Sequence, residues 1–346
     1  MPVFSGALRM KTEKVNVAVI GVGNMGRHHV RAYSELAEVN LVALSDLKSQ
    51  LGKEMVERFH IRFYPDYREM LEKEDIDAIS VVVPTAVHKE VALDCIQRGK
   101  AVLIEKPLAD SAEAGDQIIE EAEKHKVTVL VGHVERFNPA VLKLKELMEE
   151  GKLERITSVI ARRVGISPPQ LKEANVIVDL AVHDIDVCNF LLGKIPQQVY
   201  ARAGKALNSQ RADFASIFLD YNGTDVLIQA NWITPVKIRE LNVTGTKGYV
   251  ELNYITQKLK LYESNYHRGF DSFGDFIVRF GTPNIREVDV KTAEPLKMEL
   301  RHFIACVENR KKPLVSGKDG LNALKIALSA VQSWEEERVV RIDTAL

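Results

Sequence analysis

The chain has 346 residues, too many for one core and enough for two domains of about 100–200 residues each. Hydrophobic residues make up 46% and charged residues 27%, an ordinary balance for a soluble fold, and a net charge of -1 creates no field to recruit nucleic acid or an anionic membrane. Cys95, Cys188 and Cys306 stand far apart with no C-x-x-C pair, which argues against a disulfide framework or a thiolate metal site and suits reduced thiols in the cytoplasm.

Met1 to Lys14 mixes Pro, Gly and charges and reads as a loose leader, with Met10 a second candidate start. No apolar run approaches the roughly 20 residues that span a bilayer. Val15 to Ile20 is almost wholly apolar, the pattern of a strand buried on both faces. Helical stretches then alternate with short apolar strands at Leu41 to Ser45, Ala78 to Val83, Ala101 to Ile104 and Val127 to Val131. That alternation predicts a doubly wound parallel sheet of the Rossmann type over residues 1–135.

The texture changes after Asn138. A helix at Pro139 to Glu150 precedes seven long strand-like stretches between Arg155 and Tyr262, with one helical stretch, Val178 to Leu192, among them. Asn222-Gly223 between two of these strands is a hairpin signal. The expectation is an α+β domain over 136–346 with a large, mostly antiparallel open sheet. Its C-terminal helices are expected to pack back on the first domain.

The first strand runs into Gly21-Val22-Gly23-Asn24-Met25-Gly26, a G-x-G-x-x-G turn between a strand and a helix. Gly21 allows the tight turn, Gly23 lets the backbone approach a pyrophosphate, and Gly26 lets the helix pack close. The helix N-terminus then offers free N–H groups to the anion. Asp46 ends the second strand, where a carboxylate accepts from ribose hydroxyls and repels a 2′-phosphate, which favours NAD over NADP.

Lys106 follows the strand AVLIE, at the carboxyl end where ligands of such sheets bind. A desolvated ammonium there can exchange protons near neutral pH, and a cis Lys106-Pro107 bond would help aim it. Asp179 and His183 are four apart on the helical stretch and share a face, so the carboxylate is expected to orient the imidazole, with Asp186 a second candidate partner. Either Lys106 or His183 could accept the proton of an alcohol. No further metal ligands stand at recognisable spacing, so no metal is expected.

The set GVGNMG, EKP, GHVERFNP and DLAVHDID, in this order, resembles the Gfo/Idh/MocA oxidoreductase family from about Val15 to the C-terminus. The resemblance implies that Lys106, Asp179 and His183 are the catalytic lysine, aspartate and histidine. It implies that Pro84, His88 and Glu105 join Asn24, Met25 and Lys106 around the cofactor. It also implies assembly through the open sheet face as a homodimer or homotetramer. One departure stands out: Ala181 replaces the glycine of the family's D-x-G-x-H. Within the family, GHVERFNPA and WITPVKIREL are most similar to UDP-N-acetylglucosamine 3-dehydrogenases, which oxidise the 3-hydroxyl of a nucleotide sugar. Arg136, Asn138 and Arg163 are the expected substrate contacts, with Arg162, Lys237 and Arg239 further cations for a diphosphate. Oxidation of inositol or a free sugar, and a non-catalytic dinucleotide-binding regulator, are the alternatives. Retention of NAD through turnover also stays open.

Overall fold

The computed structural model describes residues 14–166, 175–207, 210–270, 272–273 and 276–342. The expected leader, apart from Lys14, lies outside them. Six strands build the first sheet: β1 (Val15–Ile20), β2 (Val39–Ser45), β3 (Arg62–Tyr64), β4 (Ala78–Val81), β5 (Ala101–Glu105) and β6 (Val129–Gly132). All pair in parallel in the order β3-β2-β1-β4-β5-β6. The strand order reverses at β1 and β4, with successive strands added outward on opposite sides, so a crevice opens at the carboxyl ends of those two strands. Helices α1 (Asn24–Ser34), α2 (Ser49–Phe59), α3 (Tyr67–Lys73), α4 (His88–Gln97) and α5 (Ala112–His125) connect the strands. Strand β3 gave no sequence signal: three residues with no fully buried side chain carry no periodicity.

After α6 (Pro139–Glu149) comes the second sheet. It contains β7 (Ile156–Val164), β8 (Gln198–Gly204), β9 (Phe214–Asp220), β10 (Asp225–Asn231), β11 (Ile238–Gly245), β12 (Gly248–Asn253) and β13 (Lys258–Glu263). A small separate hairpin, β14 (Tyr266–Phe270) with β15 (Phe276–Phe280), precedes the edge strand β16 (Asn284–Val288). With the terminal β17 (Val340–Arg341), the nine-stranded order is β16-β13-β12-β11-β7-β10-β9-β8-β17. Only β7 and β10 pair in parallel. Asn222 and Gly223 both have positive φ, 51° and 89°, and turn β9 into β10. One sheet face is buried by alternate residues such as Val159, Ala161, Ile217 and Ile228, while Ile160, Phe214 and Phe218 remain exposed on the other. The protein is therefore α/β: a Rossmann sheet joined to a domain with a large, mostly antiparallel open sheet.

Each sheet has its own apolar core, and the C-terminal helices serve both. Helix α8 (Pro295–Asn309) adds Leu300 and Phe303 to the first core. Helix α9 (Gly317–Glu336) gives Leu321 and Leu324 to the first core but Ala323, Ile326, Ala327 and Ala330 to the second. Each fully buried Leu or Phe contributes about 1.5–3 kcal/mol, so α9 fastens the two layers together. A capping box of Ser316 and Asp319 starts it. Among the described residues no helix is long and apolar enough to cross a membrane. The three cysteines are buried and free.

Candidate active site

The glycine loop has the shape that a dinucleotide needs. A Cβ on Gly21, whose φ is +90°, would meet Val82 O at 2.4 Å. A Cβ on Gly26 would meet Gly21 O at 1.9 Å. At Gly23, by contrast, nothing lies within 4 Å of the added atom, so this glycine faces open space. Helix α1 begins directly at Asn24, earlier than the pattern suggested, with no side-chain cap and no acidic residue in its first turn. Its N–H groups are thus free for an anion. Asp46 accepts from Val22 N at 2.8 Å and Lys48 N at 2.7 Å, which ties the loop to the end of β2 and leaves further lone pairs for hydroxyls. An apolar cavity of about 450 Å³ adjoins, lined by Gly23, Asp46, Leu51, Tyr67, Pro84 and Val87 among others. These residues fit NAD: an open backbone approach, a free helix terminus and a carboxylate stand in sequence along one crevice.

The second cluster forms where β5 and β6 end. Lys106-Pro107 is cis. Lys106 Nζ donates to Asp179 Oδ1 at 2.9 Å and to Asp179 O at 2.8 Å. Asp179 therefore serves the lysine and not His183. The lysine takes the carboxylate that i,i+4 spacing had assigned to the imidazole, a rivalry between distant groups that the spacing could not reveal. Asp179 lies in a π turn, Ile177–Ala181, that runs into α7 (Val182–Leu192), an irregularity frequent at functional sites. Asp186 is not a partner of His183 either; it is fully buried and paired with Arg136.

His183 Nδ1 is buried with no protein partner among the described residues. Burial, followed by the charges of Lys106, Arg163, His133 and Arg239, holds its pKa well below the usual value. The ring is therefore neutral at pH 7 and able to accept a proton. His133 stands edge-on to it, with ring centroids 6.4 Å apart.

Most of the expected substrate contacts are structural. Arg136 is 3% exposed and spends its guanidinium on Asp186, Asp319 and Leu314 O, joining three segments. Arg163 is equally buried, forked onto Asp184 and bonded to Glu135. Asn138 caps α6 through Ala140 N and donates to Tyr254 O. Arg162 projects from the opposite face of β7 and pairs with Glu240. A cation two residues along a strand from the cleft can face either way, and burial selects ion pairs over ligands. His88 does not line the cofactor crevice. It is buried, with Nδ1 3.0 Å from Pro107 O and Nε2 2.9 Å from Val83 O, and so fastens together the loops after β4 and β5. Glu105 is buried against His29 and accepts from Lys106 N. Burial acts to raise its carboxyl, but the His29 hydrogen bond and charge outweigh that and hold it below the usual range. Arg239 is the exception. It shares the face of its cross-strand neighbour Arg163, is half-buried, and among the described residues its guanidinium bonds only to the Val164 and Ile238 carbonyls. Burial and the Arg163 charge pull its pKa down to about 10. Lys237 nearby is exposed.

Two family models cover the chain: the NAD-binding Rossmann fold of the Gfo/Idh/MocA oxidoreductases over residues 15–133 and their C-terminal alpha/beta domain over 145–342. The chain belongs to the Gfo/Idh/MocA oxidoreductase family. It is an oxidoreductase with an NAD-binding Rossmann fold. UDP-N-acetylglucosamine 3-dehydrogenase of Acidithiobacillus ferrooxidans is 26% identical over 317 residues, 91% of this chain and 95% of its own length. Myo-inositol 2-dehydrogenase of Thermotoga maritima is 26% identical over 345 residues, 96% of this chain and all of its own. Among solved structures, the Acidithiobacillus ferrooxidans enzyme aligns with TM-score 0.81 at 24% identity, over 94% of this chain and 99% of that one. An oxidoreductase from Agrobacterium radiobacter, in complex with NAD+, L-tartaric acid and magnesium, aligns with TM-score 0.83 at 18% identity, over 96% of this chain and 100% of that one.

Two buried groups of this Gfo/Idh/MocA protein escaped sequence reading. His133 had a usable signal, because it follows β6 as Lys106 follows β5, and residues after parallel strands face the crevice. Glu299 had none: it sits in the amphipathic helix α8 yet is 0% exposed, with both carboxyl oxygens unpartnered among the described residues.

Proposed function

We propose that this protein oxidises a secondary hydroxyl of a sugar, and that its substrate is a nucleotide sugar whose 3-hydroxyl reacts, as in UDP-N-acetylglucosamine. The observation that carries the reading is the convergence of Lys106, Asp179 and His183 at the carboxyl end of the Rossmann sheet. Residues 1–135 form the cofactor domain and 136–346 the substrate domain. Gly21, Gly23, Asn24, Met25, Gly26, Asp46 and Pro84 hold NAD, which supplies the acceptor for the carbinol hydrogen and its electron pair. His183, neutral, takes the hydroxyl proton. Lys106, paired with Asp179, has protons to donate and hydrogen-bonds the same oxygen as charge develops on it. Arg239 carries no ion pair among the described residues, and with Lys237 it suits a phosphate group.

Oxidation of an inositol is the second reading, favoured by the equal identity to the Thermotoga maritima inositol enzyme. The exposed apolar face of the second sheet supports a homodimer or homotetramer, and three buried thiols suit the cytoplasm. NADH absorbance with UDP-N-acetylglucosamine and with myo-inositol separates the two substrates. His183→Ala and Lys106→Ala should each cut turnover about a hundredfold or more while NAD still binds. Near-normal turnover in both variants would sink these roles.

A further inference from the structure

Behind the Lys106–Asp179–His183 cluster stands a histidine that the chemistry above does not use. His133 is 1% exposed, yet neither of its ring nitrogens has a protein partner among the described residues. His183 Nδ1 is in the same condition. The ring centroids are 6.4 Å apart and the planes cross at 88°. Each nitrogen lies about 1.1 Å from its centroid, so the nearest possible approach of two nitrogens is about 4.2 Å, too far for a direct hydrogen bond. At that closest approach one bridging water would join the two nitrogens. Buried polar atoms left bare cost about 1–3 kcal/mol each, and interior groups of this kind bind internal water.

The surrounding charges differ between the two rings. A proton resting on His183 would face Lys106, Arg163 and Arg239. Burial above all lowers the His133 pKa, and Arg136 and Lys106 add to this, while Asp186 of α7 and Glu105 of β5 oppose it. Glu299 of α8 lies near the same two carboxylates, Glu105 and Asp186.

We propose that His133 stores the substrate's proton: His183 passes it from Nδ1 through one internal water to a His133 nitrogen. The inference rests on the dehydrogenase reading. The carbinol hydrogen and its electron pair leave to the nicotinamide, and only the hydroxyl proton enters this path. As that proton reaches His183, the Nδ1 proton goes to the water and a water proton goes to His133. His183 is again neutral and the added positive charge sits opposite Asp186 and Glu105. On product release the proton returns by the same water and leaves through the opened cleft.

Two measurements test it. A high-resolution crystal structure of the unaltered protein should show a water within 3.2 Å of both His183 Nδ1 and a His133 nitrogen; an interior without that water overturns the proposal, whatever the substrate. In kinetics with UDP-N-acetylglucosamine or myo-inositol, whichever is oxidised, His133→Phe should lower kcat about tenfold or more. It should also move the kcat–pH profile to higher pH, with NAD affinity unchanged. His133→Gln, which binds water but holds no proton, should share the slow turnover. Unaltered kcat and pH profile in either folded variant would overturn the proposal. If neither compound is oxidised by the unaltered protein, the substrate reading fails and the crystal water alone decides this one.

Discussion

Gly23 and Gly26 belong to one motif, yet an alanine at each should fail for opposite reasons. At Gly26 the new Cβ would lie 1.9 Å from the Gly21 carbonyl oxygen, so the start of α1 must move away from the loop. Overpacking of this kind costs about 1–3 kcal/mol or more, and each kcal/mol lowers the melting temperature by roughly 2–4 °C in a domain of 150–250 residues. At Gly23 the Cβ meets nothing within 4 Å, and φ is -63°, which any residue adopts. The unliganded Gly23→Ala protein should therefore melt with the wild type, within about 0.5 kcal/mol. Its defect appears only with NAD, because the methyl group stands where the backbone must approach the pyrophosphate. Loss of one charge-assisted hydrogen bond, about 1.5–3 kcal/mol, weakens binding roughly 10–150-fold. NAD at a hundred times the wild-type Kd stabilises the wild type by about 2.7 kcal/mol and should stabilise Gly23→Ala by only about 0.3–1.4 kcal/mol. Thermal melts with and without NAD, together with titration calorimetry, measure both terms. A full NAD-induced shift in Gly23→Ala, or a wild-type melt in Gly26→Ala, would refute the division of labour.

Asp179→Asn removes the charge that holds Lys106 and should lower kcat/KM about 10–150-fold, the worth of one hydrogen bond between charged groups; an unchanged value in steady-state assays would detach Asp179 from the site. Arg136→Ala strands the fully buried Asp186 and should cost about 3–5 kcal/mol in urea unfolding, whereas the joint change Arg136→Met with Asp186→Leu should recover much of it. Arg239→Gln should raise KM for a nucleotide sugar with little change in kcat or NAD binding; the same KM as wild type would remove Arg239 from substrate recognition. Stability should also depend on pH in two directions. His88, His133 and His183 have depressed pKa values, chiefly from burial, so their contribution is full above about 6.5 and is lost as pH falls below it. Glu299 is raised well above 4.5 by burial, so its contribution is full below that value and is lost as pH rises through the folded pKa. Glu299→Gln should therefore raise the melting temperature above neutral pH and leave it nearly unchanged near pH 4; a uniform shift at both would mean that the carboxyl does not titrate as argued.

Local chemistry was enough to read the first domain. A strand of VNVAVI, glycines where a Cβ cannot fit or must not stand, and a carboxylate after the next strand each act over a few residues. The hairpin at Asn222-Gly223 was legible for the same reason, since two consecutive positive φ angles demand such residues. What sequence could not decide was competition between distant groups. Asp179 was four residues from His183, but Lys106, 73 positions away, took it. Arg136 and Arg163 read as free cations until Asp186 and Asp184 were folded against them, because pairing relieves the cost of burying a charge. The chain by itself specified which chemical groups exist and which secondary elements carry them; the tertiary packing assigned each charge its partner, through a Coulomb energy that depends on distance in space and not on distance along the chain.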